Sequence, residues 1–344
     1  MGKIVLEPVR LEALLDKMAG VTAMVVGDVC LDAYWMADMR LSSLSRETPH
    51  HNMPVVEERY ALGGAGNVMA NMGKLGAKVL PVTVLGRDWR GGLTRHLMAE
   101  QGFEGPGLLD SSQRVTPTYV KPYRMGYGGA CSEDPRLDFE NRRALDPQLE
   151  AQVIQAIEEA TEAQVIAVSD QMDQGVVTPA VRQALTRQAR GGRKVVVDSR
   201  ARIGDFSGCI VKPNELESAR AAGLSPEQVT AEDYAPVARK LSQITGGPVI
   251  ITLGGAGALC LDGQALDWAP AVPVPPPIDI VGAGDSFLSA CALALGAGAS
   301  LAEAIALANL ASAVTIQKIG QTGTASAQEI KEQYARARKT KEKE

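Results

Sequence analysis

Basic residues are not in excess in this chain of 344 residues: 35 Lys and Arg face 40 Asp and Glu, a formal net charge of −5. A nucleic-acid binder would normally carry a basic patch or stripe, so no nucleic acid is expected as a partner. Long apolar runs are lacking too. No stretch approaches the length that spans a bilayer, and Met1 to Arg10 has no apolar core of a signal peptide, so no membrane role is expected. The five cysteines, at 30, 131, 209, 260 and 291, include no Cys-x-x-Cys pair, which is the usage of a reduced, cytoplasmic setting. His50, His51 and His96 have no metal-ligand spacing, because adjacent histidines point apart in a strand. A Walker-type Gly-x-x-x-x-Gly-Lys-Ser/Thr is missing. The dinucleotide fingerprint is missing as well, since Gly64-x-Gly66 is followed by Met69 where a third glycine should stand.

What is present is a full complement of core-forming residues, 45% hydrophobic against 22% charged. Leu11, Leu14, Leu15 and Met18 share one helical face. Val21 to Val26 then reads as a buried parallel strand ending at Gly27-Asp28, which places Asp28 where ligands of open α/β sheets sit. Further strands are expected over 78–85, 165–169, 194–198, 209–214 and 249–253, with helices over 151–160 and 179–189. Apolar strands alternating with helices predict an α/β fold, a doubly wound and mainly parallel sheet with helices on both faces. Two stretches, about 31–61 and 116–140, have short strands and no intervening helix. They are expected to form a small antiparallel sheet that projects from the body as a lid. The last helix is expected over 301–316, followed by a solvated charged tail over 336–344.

One stretch organises the rest, Asp279-Ile-Val-Gly-Ala-Gly-Asp285, followed by a helical run of small residues. Gly282, Ala283 and Gly284 would offer N–H groups at a helix N-terminus, a ready anion site. Asp285 beside them suits the removal of a proton from a hydroxyl that attacks a phosphoryl group. The plain alternative is a glycine turn with an acidic residue on the helix dipole. Gly63-Gly-Ala-Gly-Asn67 is a second place where glycine backbone meets a helix start. Asn214 and Glu217 have the spacing of an N-terminal capping box and also of two water-relayed magnesium ligands. Thr252-Leu-Gly-Gly-Ala-Gly257 reads either as a tight hairpin or as a backbone cradle for a nucleotide.

Together these residues resemble the ribokinase-like (PfkB-type) sugar kinase family over about 21–330. The two glycine motifs stand in the order and separation the family uses, and Asn214-x-x-Glu217 and Thr252-x-Gly-x-x-Gly257 fall where it places them. Within the family the chain is similar to the heptose 7-phosphate kinases in Gly27-Asp-Val-Cys-Leu-Asp-Ala-Tyr-Trp35, Ser45-Arg-Glu-Thr-Pro49, Arg136-Leu-Asp-Phe-Glu140 and Lys212-Pro-Asn214. It departs from them at Ser169-Asp-Gln-Met-Asp-Gln-Gly175, where a lysine is missing, and at Asp198-Ser-Arg200, where they show Asp-Pro-Lys.

The resemblance implies one kinase domain over 1–344, without the nucleotidyltransferase domain fused to some relatives. It implies ATP and Mg2+, with K+ near Asp279 in part of the family, and a small-molecule sugar or sugar phosphate as acceptor. Asp285 would be the base, ionised at neutral pH because an unperturbed Asp titrates at about 3.9. Gly282, Ala283 and Gly284 would stabilise the transferring phosphate. Asp28, Gly64 and Asn67 would hold sugar hydroxyls, and Asn214 and Glu217 would orient magnesium through water. Thr252, Gly254 and Gly257 would line the nucleotide, with Asn309 near the adenine and Arg200 at a phosphate. A homodimer through the lid is expected, because the projecting sheet leaves apolar surface to be covered. Rival readings are a kinase of a ketose phosphate, a ribose-type sugar or a nucleoside, and a sugar-binding regulator that no longer catalyses.

Overall fold

The computed structural model describes residues 2–225, 227, 229, 234–320 and 322–341. Its first half runs β1 (Gly2–Lys3), α1 (Pro8–Met18), β2 (Thr22–Gly27), β3 (Val29–Asp38), β4 (Val55–Gly64), α2 (Ala65–Lys74), β5 (Lys78–Gly86), α3 (Trp89–Glu100), β6 (Leu108–Ser111), β7 (Thr118–Met125), β8 (Cys131–Glu133) and β9 (Leu137–Phe139). The second half runs α4 (Pro147–Glu159), β10 (Val165–Asp170), α5 (Pro179–Arg190), β11 (Lys194–Ser199), β12 (Ile210–Val211), α6 (Glu215–Ala221), α7 (Tyr234–Thr245), β13 (Val249–Thr252), β14 (Ala258–Asp262), β15 (Ala265–Ala269), α8 (Ala283–Gly296), α9 (Leu301–Thr315) and α10 (Ala327–Lys341). Helix starts follow local chemistry. Thr178 caps α5 ahead of Pro179, and Ser300 with Glu303 closes a capping box on α9.

Ten strands form the central sheet in the order β1-β15-β14-β13-β12-β11-β10-β2-β5-β6. All pairings are parallel except those of β14, which runs against both neighbours. Two apolar clusters cover its faces. One gathers α1, α2, α8 and α9 around residues such as Leu14, Met69, Leu288 and Leu307. The other holds α4, α5 and α7 through Ile157, Val181 and Leu241. The sheet is therefore doubly wound, as its βα rhythm predicts. The chain enters at β2, winds outward to β6, and returns to β10 on the other side of β2. That reversal is a topological switch point, where the crevice beyond the strand ends opens.

The lid is a second sheet, ordered β4-β3-β7-β8 with β9 also on β7. It differs from the expected antiparallel sheet, because β3 and β7 pair in parallel from Leu31–Thr118 to Asp38–Met125. The reason is the route: β7 returns from β6 at the far edge of the body, so it rises in the same direction as β3. The strand expected over 209–214 shortens to two residues; Lys212 N still donates to the Val197 carbonyl at 2.8 Å, but Pro213 has no N–H with which to carry the ladder on. Helix α10 lies beyond the last one expected and runs through most of the charged tail, whose residues 342–344 lie outside the described ones. α10 is docked ahead of the tail, where Tyr334 Oη donates to the Leu6 carbonyl at 2.5 Å, while Arg336, Arg338 and Lys339 in the tail itself are exposed.

Met69 is fully buried between α2 and the body. Met69→Ala should lower unfolding free energy by about 2–5 kcal/mol, read from denaturant midpoints.

Candidate active site

A cavity of about 810 Å³ opens over the carboxyl ends of the strands. Cys30, Asp32, Tyr119 and Arg136 form its lid side. Asp198, Lys212 and the start of α8 form its middle, and Gly254, Gly255 and Gly257 its far end. The far wall is apolar, with Val272, Val274, Ile278, Ile280, Ala313 and Ile316. Of the residues expected at a site, Gly64, Arg200, Asn214, Glu217, Thr252, Gly254, Gly257, Asn309 and the run from Gly282 to Asp285 all stand in the wall.

Gly282 caps α8 in the left-handed region at φ 78°, ψ 2°. A Cβ there would lie 2.8 Å from Thr322 Cγ2, so glycine alone fits without a shift. Asp279 ties this turn down: its carboxylate accepts from Val281 N and from Gly320 N, each at 3.0 Å. The amide of Ala283 turns back to the Ile280 carbonyl at 3.2 Å, whereas those of Gly282, Gly284 and Asp285 have no backbone acceptor among the described residues. Of the donors expected at an anion site, Ala283 is thus the least available.

Asp285 sits at the third helical position with one face to the cavity. Asn67 Nδ2 donates to its Oδ2 at 2.7 Å. Burial pushes the carboxyl up to about 6, helped by the charge of Asp198 and opposed by the Asn67 hydrogen bond and by Lys212. The carboxyl therefore titrates well above the unperturbed value expected from sequence. Beside it Lys212 Nζ meets Asp198 Oδ2 at 2.9 Å, with both side chains almost fully buried. Burial alone would lower Lys212; the charge and hydrogen bond of Asp198, with Glu217 and Asp285, instead raise it. A cation held charged next to a carboxylate is well suited to anionic oxygens arriving between them.

Asn214 and Glu217 form the complete capping box of α6, each side chain accepting from the other's N–H at 2.9 Å. Glu217 is raised by burial and by Asp198. One oxygen of Glu217 remains for other work, so capping and ligation are compatible here. Asn309 gives its amide hydrogens to the carbonyls of Ala269 and Pro270 at 2.9 and 3.1 Å. It staples the end of β15 and leaves only its carbonyl oxygen to the cavity. Arg200 is exposed at the rim.

Asp28 and Asn67, expected at sugar hydroxyls, lie behind the wall and not in it. Asp28 is buried and both its oxygens accept from Val176 N at 3.1 Å. Asn67 spends its Nδ2 on Asp285, and its Oδ1 accepts from Asn71 at 3.2 Å. The residue that reaches the cavity is Asp32, 3.6 Å from Lys121 and raised by burial against the pull of that lysine. Strand β3 begins at Val29, so its alternation carries Cys30 and Asp32 to one face and does not extend to Asp28. Asp32, Asp198, Lys212, Tyr119 and Arg136 were not singled out as site residues. For Lys212 a signal existed, a lysine closing an otherwise apolar strand. Among the described residues no cluster of three or more metal-type side chains occurs.

A half-buried aspartate at a glycine-capped helix start, with a charged lysine close by, is arranged to handle an anionic group and a proton in the same cavity. Residues 23–328 match the model of the pfkB family carbohydrate kinase, and the chain belongs to that family. It is 35% identical over 282 residues to the bifunctional protein HldE of Caulobacter vibrioides, covering 80% of this chain and 56% of that protein. With the bifunctional protein HldE of Citrifermentans bemidjiense it is 30% identical over 328 residues, 93% of this chain and 65% of that one. The chain thus spans less than two thirds of these relatives' length. Two solved structures share the fold. Escherichia coli phosphofructokinase-2 in complex with potassium has a TM-score of 0.71 at 19% identity, covering 93% of this chain and 99% of its own. Arabidopsis thaliana ribokinase complexed with ribose and ATP has 0.69 at 19%, covering 92% and 99%.

The carboxyl of Asp285 should titrate with a midpoint near 6 by carbon-detected NMR. Asn67→Leu removes a hydrogen bond that favours the charged form, so the midpoint should move to higher pH. A midpoint that stays put would show that Asn67 does not set it.

Proposed function

We propose that this carbohydrate kinase transfers the γ-phosphoryl group of ATP to heptose 7-phosphate, giving heptose 1,7-bisphosphate, with Asp285 as the base. The observation that carries the chemistry is Asp285 itself, held by Asn67 at 2.7 Å beside helix N–H groups that lack backbone acceptors among the described residues. The heptose assignment is supported by the stretches 27–35, 45–49 and 136–140, which resemble the heptose 7-phosphate kinases, and by the likeness to the two HldE proteins.

The far end of the cavity fits a nucleotide. A Cβ at Gly255 would meet nothing within 4 Å, so the turn after β13 presents bare backbone. The apolar wall beside it is of a kind that accepts a purine. For magnesium, Asn214, Glu217 and Asp198 supply oxygens without making a protein cage. That suits an ion held largely by water and phosphate. When bound, ATP would supply the phosphoryl group and magnesium would supply positive charge to offset that of the phosphates. Asp285, ionised, takes the hydroxyl proton as that oxygen attacks. The N–H groups of Gly282 and Gly284 and the Lys212 ammonium bear the charge on the transferring group.

Coupled ADP release with Mg-ATP should show turnover on heptose 7-phosphate and little on ribose, fructose 6-phosphate or nucleosides. Asp285→Asn should lower kcat by about 10²–10⁴ while ATP binding persists. The pH profile of kcat should fall on the acid side near pH 6, because the base works only when ionised. Turnover on another sugar would keep the kinase and discard the heptose. Sugar binding without turnover would favour a regulator.

The proposal extends to a homodimer through the lid. Val55 and Val56 on β4, with Leu137 and Phe139 on β9, remain exposed on the lid sheet. One neighbouring fold is described as the tetrameric inhibited form of Escherichia coli phosphofructokinase-2. Light scattering should give twice the chain mass, and Val56→Lys should reduce it to one chain. A wild-type mass of one chain at all concentrations would end the dimer.

A further inference from the structure

At the foot of the lid, outside the cavity, one arginine lies between two aromatic rings. Arg90 stands in the first turn of α3. Its guanidinium carbon is 5.4 Å from the ring centre of Trp89 and 4.4 Å from that of Phe139, both cation–π distances. The side chain is only 14% exposed, and its acidic neighbour is Asp88, whose Oδ2 lies 3.6 Å from Nη2. Nε makes no hydrogen bond among the described residues, so much of what holds the group is ring surface.

The body side of this contact is firmly placed. Asp88 caps α3 by accepting from Gly91 N at 2.7 Å, and its other oxygen accepts from Thr116 N, at the entry to β7, at 3.0 Å. Gly86 and Gly91 let the segments meet: a Cβ at Gly91 would lie 2.0 Å from the Gly86 carbonyl oxygen, and one at Gly86 would lie 2.7 Å from Thr116 N. The lid side is held less well. β9 has three residues, all exposed, and its ladder runs to β7, with Phe139 opposite Thr118 and Leu137 opposite Val120. So short a strand belongs to the low-stability end of a fold. Alternation turns Leu137 and Phe139 to one face and Asp138 to the other. On that other face Arg136 grips Asp138 at 2.6 and 2.7 Å, lies over the Tyr119 ring at 4.5 Å and enters the cavity wall.

We propose that Arg90 is a positioning residue: through the Phe139 ring it holds β9 so that Arg136 and Tyr119 stand ready for a sugar acceptor. This rests on the reading of the lid side of the cavity as the acceptor's side. If β9 without the cation keeps that arrangement about a tenth of the time, the apparent affinity for the acceptor falls about tenfold. That change is about 1.4 kcal/mol, which a largely desolvated cation over a ring can supply.

The test uses the full chain with Mg-ATP and heptose 7-phosphate or, if that is not turned over, the best acceptor of a sugar and sugar-phosphate panel. The heptose assignment can therefore fail while the clamp is still examined. Arg90→Met keeps a long side chain and removes the cation. It should raise the acceptor KM about tenfold, with kcat and the KM for ATP within about twofold of wild type. Arg90→Lys, which keeps a cation at the rings, should recover most of that loss. Phe139→Leu removes the ring and leaves the lid face apolar. It should resemble Arg90→Met, and the double variant should be no worse than either single one, because both remove the same contact. Amide exchange over 137–139, read without substrate, should quicken in Arg90→Met while exchange in β3 and β4 does not. An unchanged acceptor KM, or a loss shared by kcat and both KM values, would overturn the proposal. So would equal effects of Arg90→Met and Arg90→Lys, additive effects of Arg90→Met and Phe139→Leu, or unchanged exchange over 137–139.

Discussion

The hydrogen bond from Asn67 to Asp285 joins the two glycine-led helix starts, α2 and α8, at the carboxylate that the proposed chemistry needs. Everything around it follows from keeping an acid buried yet ionisable. Burial raises Asp285, Asp198 raises it further, and Asn67 and Lys212 pull it back. Without the last two the acid would hold its proton to higher pH. Without the burial it would be a weaker base. α2 and α8 pack into one apolar cluster, so the hydrophobic core fixes a distance that the chemistry needs.

The doubly wound sheet was legible because buried parallel strands announce themselves as apolar runs, and helices between them as periodic ones. The glycine motifs located the cavity for the same reason, since backbone approach to a ligand leaves a mark in residue type. Three things were not legible. The parallel pairing of β3 with β7 depends on a route across the body that local pattern does not encode. The exchange of Asp28 for Asp32 as the acid facing the cavity depends on where β3 begins, and one residue decides it. The availability of Ala283's amide depends on whether a turn closes to Ile280, which composition cannot say.

Asn214, Glu217 and Asn309 share a further feature. Each completes a local structural task, a capping box or a staple on β15, and keeps a second polar group over in the cavity wall: the amide nitrogen of Asn214, one carboxylate oxygen of Glu217 and the carbonyl oxygen of Asn309. A structural task and a place in the cavity wall are therefore compatible at these positions. Amide and carboxylate groups have several bonding sites, and fastening one of them is what aims the other.

The mixed lid has a consequence for the order in which the molecule comes together. β3 and β4 are neighbours in the chain and pair as an antiparallel ribbon, whereas β7 can reach β3 only after the chain has traversed α2, β5, α3 and β6. Closing so long a loop is entropically slow unless the intervening body is already in place. The part of the cavity wall contributed by Tyr119 and Arg136 is thus expected to close late, on a body that has already folded.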